Sequence, residues 1–205
     1  MPSLKLKENI WSVGVLNPNM RVFDIVMKTE YGTSYNSYIV KGNNKIALIE
    51  ACHASYFKYF LENIKEVCNP AEIDYIILNH NEPDHSGAVS ELLEYAVNAK
   101  IIISQSGAAF IKKITNRNDL NIEIVKDGSS IDLGGKTLNF ISAPFLHWPD
   151  SIFTYLPEDK VLFSCDFLGT HYCEPNMLDS EIKYKDAFKE AMLNYYNAIF
   201  SPFKP

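Results

Sequence analysis

Residues 80–85 bring four potential metal ligands into six consecutive positions: His80, Glu82, Asp84 and His85. The apolar run Tyr75–Leu78, which predicts a buried strand, comes just before them. A loop at the carboxyl end of such a strand is a usual place for a functional site. Gathering like charges and imidazoles costs folding free energy unless a cation neutralises them, so the cluster indicates metal binding.

The spacing of this cluster also suggests how its side chains point. Positions 80, 82 and 84 alternate, so an extended loop would direct His80, Glu82 and Asp84 to the same side. Pro83 would stiffen that loop. The alternative interpretation is a solvated polar loop, because single His and Asp residues are common in loops. Two imidazoles and two carboxylates directly after a buried strand favour the metal site.

Two further candidate ligands lie next to predicted strands. His147 lies in the segment Ala143–Ser151, a predicted turn between two strands. Asp166 follows an apolar strand predicted over Val161–Ser164. A lone His or Asp at such a position is more often a hydrogen-bonded turn residue. These two residues are therefore candidates only as members of a set with the 80–85 loop.

The hydrophobic pattern predicts the elements that must position these residues. Strands are predicted at Ile10–Val15, Val22–Met27, Ser37–Val40, Ile46–Ile49, Tyr75–Leu78, Ile101–Ser104, Ile122–Val125, Thr137–Ser142, Ile152–Tyr155 and Val161–Ser164. Apolar residues at helical spacing predict helices through Phe57–Ile64, from about Ser86 to Ala96, through Ala108–Thr115 and from about Lys185 to Phe200. This order predicts a layered α/β protein with mixed sheets. Nothing resembles a linker, so we expect residues 1–205 to form one domain.

The composition limits the classes of partner. The 205 residues are 47% hydrophobic and carry a formal net charge of -6, which argues against a nucleic acid or an anionic membrane as partner. No apolar run approaches the about 20 residues that span a bilayer, and the N-terminus lacks a signal-peptide stretch. We therefore expect a cytoplasmic protein. The four cysteines, which form no C-x-x-C pair, are expected to be reduced thiols.

The ligand pattern resembles the diiron signature of flavodiiron proteins. That signature is similar to His80-x-Glu82-x-Asp84-His85, then His147, then Asp166 after 18 intervening residues. The segments Tyr31–Tyr38, Leu146–Ser151 and Ser164–His171 also resemble the family, and the similarity spans about residues 4 to 204. The resemblance implies a metallo-β-lactamase-like αβ/βα sandwich, here truncated at its C-terminus.

The resemblance also implies a role for each candidate residue. His80, Glu82 and His147 would hold the first iron, and Asp166 would bridge two irons. Asp84 would hold the second iron, with His85 as a further ligand or a hydrogen-bonding neighbour. His171 and Tyr195 are candidates for catalytic roles beside the irons, and the alternative for each is a hydrogen-bonded structural residue. Trp148 is expected to wall the pocket. The resemblance thus implies the metal ligands His80, Glu82, Asp84, His85, His147 and Asp166 and the catalytic candidates His171 and Tyr195.

Glu82 bears on the choice of metal. Hydrolases of the wider metallo-β-lactamase superfamily carry a His at the corresponding position. Zinc accepts imidazole-rich sites, whereas mixed sites rich in carboxylate suit redox iron. Glu82 therefore favours iron over zinc.

The implied activity is the reduction of O2 to water or of NO to N2O, with electrons that reach the irons through FMN. The sequence contains no phosphate-cradling loop and no flavodoxin-like domain, so FMN is expected only through a missing domain or a partner. The electron donor would be a flavoprotein or a rubredoxin-like protein. Family members carry one more His beyond a segment like Ser201–Phe203, so we expect the second iron to be weak or absent. Their head-to-tail pairing implies a homodimer.

Two other interpretations remain open at this point. The chain could be a zinc hydrolase of the same superfamily that acts on a thioester or a lactone. It could also be a non-catalytic module that keeps the fold without the chemistry, whether as a fragment, as half of a split protein or as an inactive product.

Overall fold

The computed structural model describes residues 2–25, 27–176 and 178–203, and within these ranges the backbone forms fifteen short strands. They are β1 (Leu4–Lys7), β2 (Ile10–Ser12), β3 (Val15–Asn17), β4 (Val22–Phe23), β5 (Met27–Lys28), β6 (Thr33–Tyr35), β7 (Tyr38–Lys41), β8 (Ile46–Ile49), β9 (Tyr75–Leu78), β10 (Lys100–Ile103), β11 (Ile122–Ile124), β12 (Ser130–Asp132), β13 (Thr137–Ser142), β14 (Ile152–Leu156) and β15 (Val161–Phe163).

Helices occupy the connections between these strands. The α-helices of the described ranges are α1 (Phe57–Val67), α2 (Pro83–Ser86), α3 (Val89–Leu92), α4 (Gln105–Thr115) and α5 (Lys185–Ile199). Short 3-10 helices cover Ala54–Tyr56, Pro70–Glu72, Asp179–Glu181 and Ser201–Phe203. None of the helices in these ranges is long and apolar enough to cross a bilayer.

Two larger sheets organise the molecule. The first has the order β1-β2-β7-β8-β9-β10-β11, and the second has the order β12-β13-β14-β15. Strands β8 to β11 run parallel, whereas the rest of the first sheet and the whole second sheet are antiparallel. The predicted layered protein with mixed sheets is therefore confirmed. Because β8, β9 and β10 run in the same direction, their carboxyl ends meet at one edge.

The core lies on both faces of the first sheet. Ile76 and Leu78 of β9 face the apolar cluster that contains residues of α1, α3 and α4. Ile77, between them, faces the cluster shared with the second sheet, which includes Phe140 and Phe163. Alternate side chains of the strand are thus buried on opposite faces, which explains why it is apolar throughout.

Asn79 joins the two sheets beneath the edge where β9 ends. Its side-chain NH2 donates to the Phe163 carbonyl at 3.1 Å, and its side-chain oxygen accepts from the Thr154 hydroxyl at 2.7 Å. Its own carbonyl accepts from the Ile152 N–H at 2.9 Å. The buried amide therefore satisfies groups of β14 and β15 and fixes their position relative to β9.

Most predicted elements are present, and three differ. The strand predicted over Ile10–Val15 is divided between β2, in the first sheet, and β3, which pairs with β6. The helix predicted from about Ser86 to Ala96 is instead the two single turns α2 and α3. The strand predicted over Val22–Met27 is a hairpin of the two-residue strands β4 and β5, and Val26 lies outside the described residues. The helical hydrogen-bond series breaks at Ala88, whose N–H donates to the Cys52 carbonyl at 2.8 Å, and the His85 carbonyl accepts from the Ala51 N–H at 2.8 Å. The cysteines are free, as predicted.

Truncation of Phe140 is expected to destabilise the fold strongly. The ring is 1% exposed between the two sheets, and removal of a buried aromatic ring costs about 3–5 kcal/mol. We expect Phe140→Ala to lower the free energy of unfolding by about that amount in chemical denaturation. The adjacent Ile141 is 42% exposed, so Ile141→Ala is the matched control and should cost less than about 1 kcal/mol. Equal losses in the two variants would contradict the assigned core.

Candidate metal centre

Four of the predicted ligands converge on one point. His80 Nε2, Glu82 Oε2, His147 Nε2 and Asp166 Oδ2 offer ligand atoms that all lie within 4.8 Å of one another. Glu82 Oε2 is 3.2 Å from His80 Nε2 and 3.3 Å from His147 Nε2. Asp166 Oδ2 is 3.4 Å and 3.3 Å from the same two nitrogens. The four atoms therefore surround a space into which a single cation can fit.

The sheets bring these residues together from three separate loops. His80 and Glu82 follow β9, the central parallel strand of the first sheet. His147 lies between β13 and β14, and Asp166 follows β15, so both belong to the second sheet. The site lies where the ends of the two sheets meet, because Asn79 ties β9 to β14 and β15 directly beneath it.

A second group of donors faces the other oxygen of Asp166. Asp166 Oδ1 is 2.9 Å from His85 Nε2, and Asp84 Oδ2 is 3.7 Å from the same nitrogen. Asp84 Oδ1 is buried and has no hydrogen-bond partner. Asp166 therefore stands between two sets of potential ligands and presents one oxygen to each.

The expected extended loop through residues 80–84 is wrong in its second half. Pro83 is the first residue of α2, with Glu82 in the capping position before it, so the chain turns into a helix at this point. Proline is well suited to the first helical position because it lacks the N–H that would be unpaired there. As a result, Glu82 points to the group with His80, whereas Asp84 faces the group with His85.

Opposite charges hold the cluster together without an ion. Burial penalises the charge of Asp166, but His85 and His147 outweigh this penalty and keep the pKa of Asp166 well below its usual range. Burial likewise opposes protonation of His85, and the carboxylates of Asp166 and Asp84 raise its pKa well above the ordinary value. The histidines thus carry protons that balance the acids, and a bound cation would replace those protons.

The remaining ligands follow the same pattern. Burial opposes the charge of His80, but Asp150 and Glu82 raise its pKa to about 9. Burial also opposes the charge of Glu82, but hydrogen bonds from His147 and His80 lower its pKa to about 2. Burial raises the pKa of Asp84 to about 6, although the nearby His85 opposes this rise. A nearby cation would favour the charged form of Asp84 and satisfy its buried Oδ1.

Asp150 is a functional candidate that sequence reasoning missed. Its carboxylate is fully buried, with Oδ1 at 3.3 Å from His80 Nδ1, and Oδ2 accepts from the Asn81 side-chain NH2 at 2.9 Å. A metal-binding His usually gives its second ring N–H to a carboxylate, which fixes the ring and its tautomer. The available signal was an acidic residue in the same loop as His147.

His171 and Tyr195 lie beside the second group, as part of a cavity of about 290 Å³ that Asp84, His85 and Asp166 also line. His171 Nδ1 is 2.9 Å from the Thr33 hydroxyl, and its Nε2 is buried without a partner. Burial lowers the pKa of His171 to about 4, and burial together with Asp166 raises the pKa of Tyr195 well above its usual value. At neutral pH His171 is therefore uncharged and Tyr195 keeps its proton.

Trp148 stands against the first group of ligands. Its ring is 5.0 Å from the His80 ring, with an interplanar angle of 89°, and 6.2 Å from the His147 ring. The indole therefore packs beside the two imidazoles, and it is not among the residues that line the cavity next to Asp84 and His85.

These observations fit a metal site of mixed nitrogen and oxygen ligands. Buried polar atoms without hydrogen-bond partners include Asp84 Oδ1 and Asp166 Oδ2, both of which lie in the cluster. Leaving such atoms unpaired costs free energy, and a cation would satisfy them. The set offers three imidazoles and three carboxylates, which suits iron as well as zinc.

Comparisons with known proteins place this chain in a family. The family model described as "ODP family beta lactamase" matches residues 33–201. The flavo-diiron protein FprA2 of Clostridium acetobutylicum is 54% identical over 206 residues, which cover 100% of this chain and 51% of the relative. The anaerobic nitric oxide reductase flavorubredoxin of Salmonella arizonae is 37% identical, over 98% of this chain and 42% of the relative.

A solved structure agrees over nearly the whole chain. The rubredoxin oxygen:oxidoreductase of Desulfovibrio gigas superposes with a TM-score of 0.94 at 31% identity, over 98% of this chain and 50% of that chain. The chain thus spans about half the length of the relatives that it matches. The metallo-β-lactamase-like fold and the resemblance to flavodiiron proteins are both confirmed. The chain belongs to the ODP beta-lactamase family and is homologous to the corresponding half of flavodiiron proteins.

Proposed function

We propose that this chain is the diiron module of an oxidoreductase that reduces O2 to water or NO to N2O. The observation that carries the proposal is the position of Asp166, whose two oxygens face two separate groups of ligand atoms. A carboxylate in this position can bridge two metal ions, which a site for a single ion does not require. The names of the relatives support both substrates, since one is a nitric oxide reductase and another an oxygen oxidoreductase.

The residues divide between two metal ions. His80, Glu82 and His147 would hold the first iron together with Asp166. Asp84 and His85 would hold the second iron, also with Asp166. When bound, the pair of irons supplies the electrons that reduce the diatomic substrate. Among the described residues the first position has four donors and the second has three, so we expect the first ion to bind more tightly.

Electrons would come from another component. We expect an FMN-binding flavoprotein, in the same polypeptide or in a partner, with a rubredoxin-like protein as a further donor. A homodimer would bring such components close to the site. We also propose that residues 1–205 act as one metallo-β-lactamase-like domain in the cytoplasm.

Residues around the cavity would supply protons, form hydrogen bonds and exclude water in this reaction. Water formation consumes protons, and Tyr195 keeps a proton on its hydroxyl beside Asp166. The uncharged His171, oriented by Thr33, presents its free Nε2 to a buried space where it can accept or donate a hydrogen bond. Trp148 and Phe200 flank His147 at ring distances of 6.2 Å and 6.0 Å, and these apolar rings keep bulk water away from that side.

Metal analysis and gas consumption test the proposal together. The chain is purified anaerobically without added metal and reconstituted with ferrous iron, and its metal content is determined. We expect iron in preference to zinc, and consumption of O2 or NO with a reduced flavin donor. Stoichiometric zinc with turnover of a thioester or a lactone would support the hydrolase instead. A folded chain that binds no iron after reconstitution would overturn the proposal.

Tyr195→Phe is expected to slow the reaction and leave the metal bound. Tyr195 is buried, with 6% of its surface exposed, and the variant removes its hydroxyl but keeps the ring that contacts His171. Loss of a positioned proton donor typically costs about 10²–10⁴-fold in rate. We expect lower turnover of O2 or NO by at least the smaller factor, with unchanged iron content. Tyr184→Phe, at an exposed tyrosine, is the control. Full activity of Tyr195→Phe would show that Tyr195 is not the proton donor.

A further inference from the structure

Glu50 is a buried acid that the proposed ligand set does not use. It follows β8 directly and is 2% exposed, next to the end of β9 in the same sheet. Its Oε1 accepts the Asn79 N–H at 2.9 Å, whereas its Oε2 has no hydrogen-bond partner. That second oxygen lies 3.5 Å from His85 Nδ1. A buried carboxylate directed at an imidazole needs a reason, because burial of an acid is costly.

The imidazole of His85 lies between two carboxylates. Its Nδ1 faces Glu50 Oε2, and its Nε2 is 2.9 Å from Asp166 Oδ1, on the side of the second ligand group. An N–H on Nδ1 that points to Glu50 leaves the lone pair on Nε2, which is the form that binds a metal. The acid therefore selects the tautomer and the orientation of the ring.

We propose that Glu50 is the positioning residue that makes His85 a ligand of the second metal ion. The inference rests on the proposed diiron function and assigns a role that the ligand pattern itself leaves open for His85. Glu50 touches neither substrate nor metal in this arrangement, and it acts through the imidazole.

The first metal position has the same arrangement. Asp150 Oδ1 lies 3.3 Å from His80 Nδ1, while His80 Nε2 faces Glu82 and Asp166. Each proposed metal ion thus has one histidine whose far nitrogen meets a buried carboxylate, Asp150 for the first ion and Glu50 for the second. Because the two arrangements are alike, variants of Glu50 and Asp150 form a matched pair.

The backbone holds Glu50 and His85 in a fixed relation. The Glu50 N–H donates to the Ile77 carbonyl at 2.8 Å, and the Glu50 carbonyl accepts from the Ser37 hydroxyl at 2.7 Å. The Ala51 N–H donates to the His85 carbonyl at 2.8 Å. The acid and the helical turn that carries His85 are therefore joined by main-chain hydrogen bonds, as precise placement of a ligand requires.

Glu50→Gln is a sharp test because it keeps the shape and removes one acceptor. Glu50 accepts the Asn79 N–H with one oxygen at 2.9 Å and directs the other toward His85 Nδ1 at 3.5 Å. A glutamine has a single oxygen and an NH2, so only one of these two donors can be satisfied. If the oxygen stays with Asn79, the NH2 faces His85 Nδ1 and favours the tautomer that carries its proton on Nε2, where the metal should bind.

The experiment is an anaerobic calorimetric titration of the metal-free full chain with ferrous iron. We expect wild type to show a tighter and a weaker step, and Glu50→Gln to weaken only the weaker step, by about 10–100-fold. Asp150→Asn should instead weaken the tighter step. A general loss of structure would weaken both binding steps in both variants, so weakening of a different single step in each variant would exclude it. Thermal unfolding of the metal-free variants checks that they are folded.

A measurement on the unaltered chain keeps the assignment testable if Glu50→Gln does not fold. In the zinc-loaded chain labelled with ¹⁵N-histidine, NMR should show His85 protonated on Nδ1 and metal-bound through Nε2. A proton on Nε2 of His85, or an unchanged weaker step in Glu50→Gln, would overturn the role of Glu50 and leave the diiron function intact. A wild-type chain that binds no iron at all would overturn the diiron function itself.

Discussion

Asp166→Asn is expected to abolish binding of both metal ions and, with it, the reductase activity. Asp166 is the one described residue whose two oxygens face both ligand groups, at 3.3–3.4 Å from the imidazoles of His147 and His80 and at 2.9 Å from that of His85. The amide has the same shape, but it offers a single neutral oxygen and an NH2 that cannot bind a cation.

The size of this effect follows from what the variant removes. Loss of a residue that only orients a ligand costs about 10–100-fold in metal affinity, and Asp166 is proposed as a direct ligand of two ions. We therefore expect at least about a 100-fold loss for each ion. Iron per chain after reconstitution and desalting should fall close to zero in Asp166→Asn.

Asp186→Asn is the control, because Asp186 is exposed in the first turn of α5 and also loses one negative charge. It should keep the iron content of the wild type. If Asp166→Asn retained two irons, the proposal that Asp166 bridges the two metal ions would be wrong. If it retained one, Asp166 would belong to one metal position only.

Two of the strands next to the site could be predicted because they are buried on both faces. Ile46–Ile49, Tyr75–Leu78 and Thr137–Ser142 were each predicted with the bounds that the structure has. In the first two the apolar run marks the strand clearly, since side chains on either face enter a core cluster. Short strands at the margins, such as Leu4–Lys7 and Ser130–Asp132, were missed because at least half of their residues are exposed and polar.

The helix predicted after Ser86 failed for a different reason. Val89, Leu92 and Ala96 are all fully buried, so their spacing correctly identified residues of the core. Periodicity reports which positions are buried, and two successive turns with a change of direction bury the same positions as one helix. The choice between them is made by a hydrogen bond to another segment, from the Ala88 N–H to the Cys52 carbonyl, and sequence spacing does not contain that contact.

The proposed metal ligands are easier to find from the sequence than the residues that would orient them. His80, Glu82, Asp84 and His85 form a dense local cluster, which is unusual enough to be noticed. Asp150, by contrast, is an ordinary acidic residue until the packing of two loops places it 3.3 Å from His80 Nδ1. Such a pair joins positions 70 residues apart, and only the tertiary structure brings them together.

Removal of the metal is expected to destabilise the fold. A ligand that binds only the folded chain stabilises it by about 4 kcal/mol when its free concentration is 1,000 times its dissociation constant. For a chain of this length, 1 kcal/mol corresponds to a shift of about 2–4 °C, so the metal-free chain should unfold about 8–16 °C below the loaded chain. Differential scanning calorimetry of the two forms measures the difference.

The physical basis of this shift is the charge balance of the buried cluster. Without a cation, the acids are balanced by protons on His85, His80 and His147, and Asp84 keeps a buried oxygen without a partner. A metal ion satisfies that oxygen and replaces the protons, which is where the additional stability arises.

Asp166→Asn distinguishes this explanation from metal bound elsewhere on the chain. If the stabilisation comes from the cluster, added ferrous iron should raise the unfolding temperature of the wild type and leave that of Asp166→Asn unchanged. Asp186→Asn should respond like the wild type. An equal rise in all three proteins would mean that the ion binds outside the cluster, because the cluster of Asp166→Asn lacks the carboxylate that both ligand groups share.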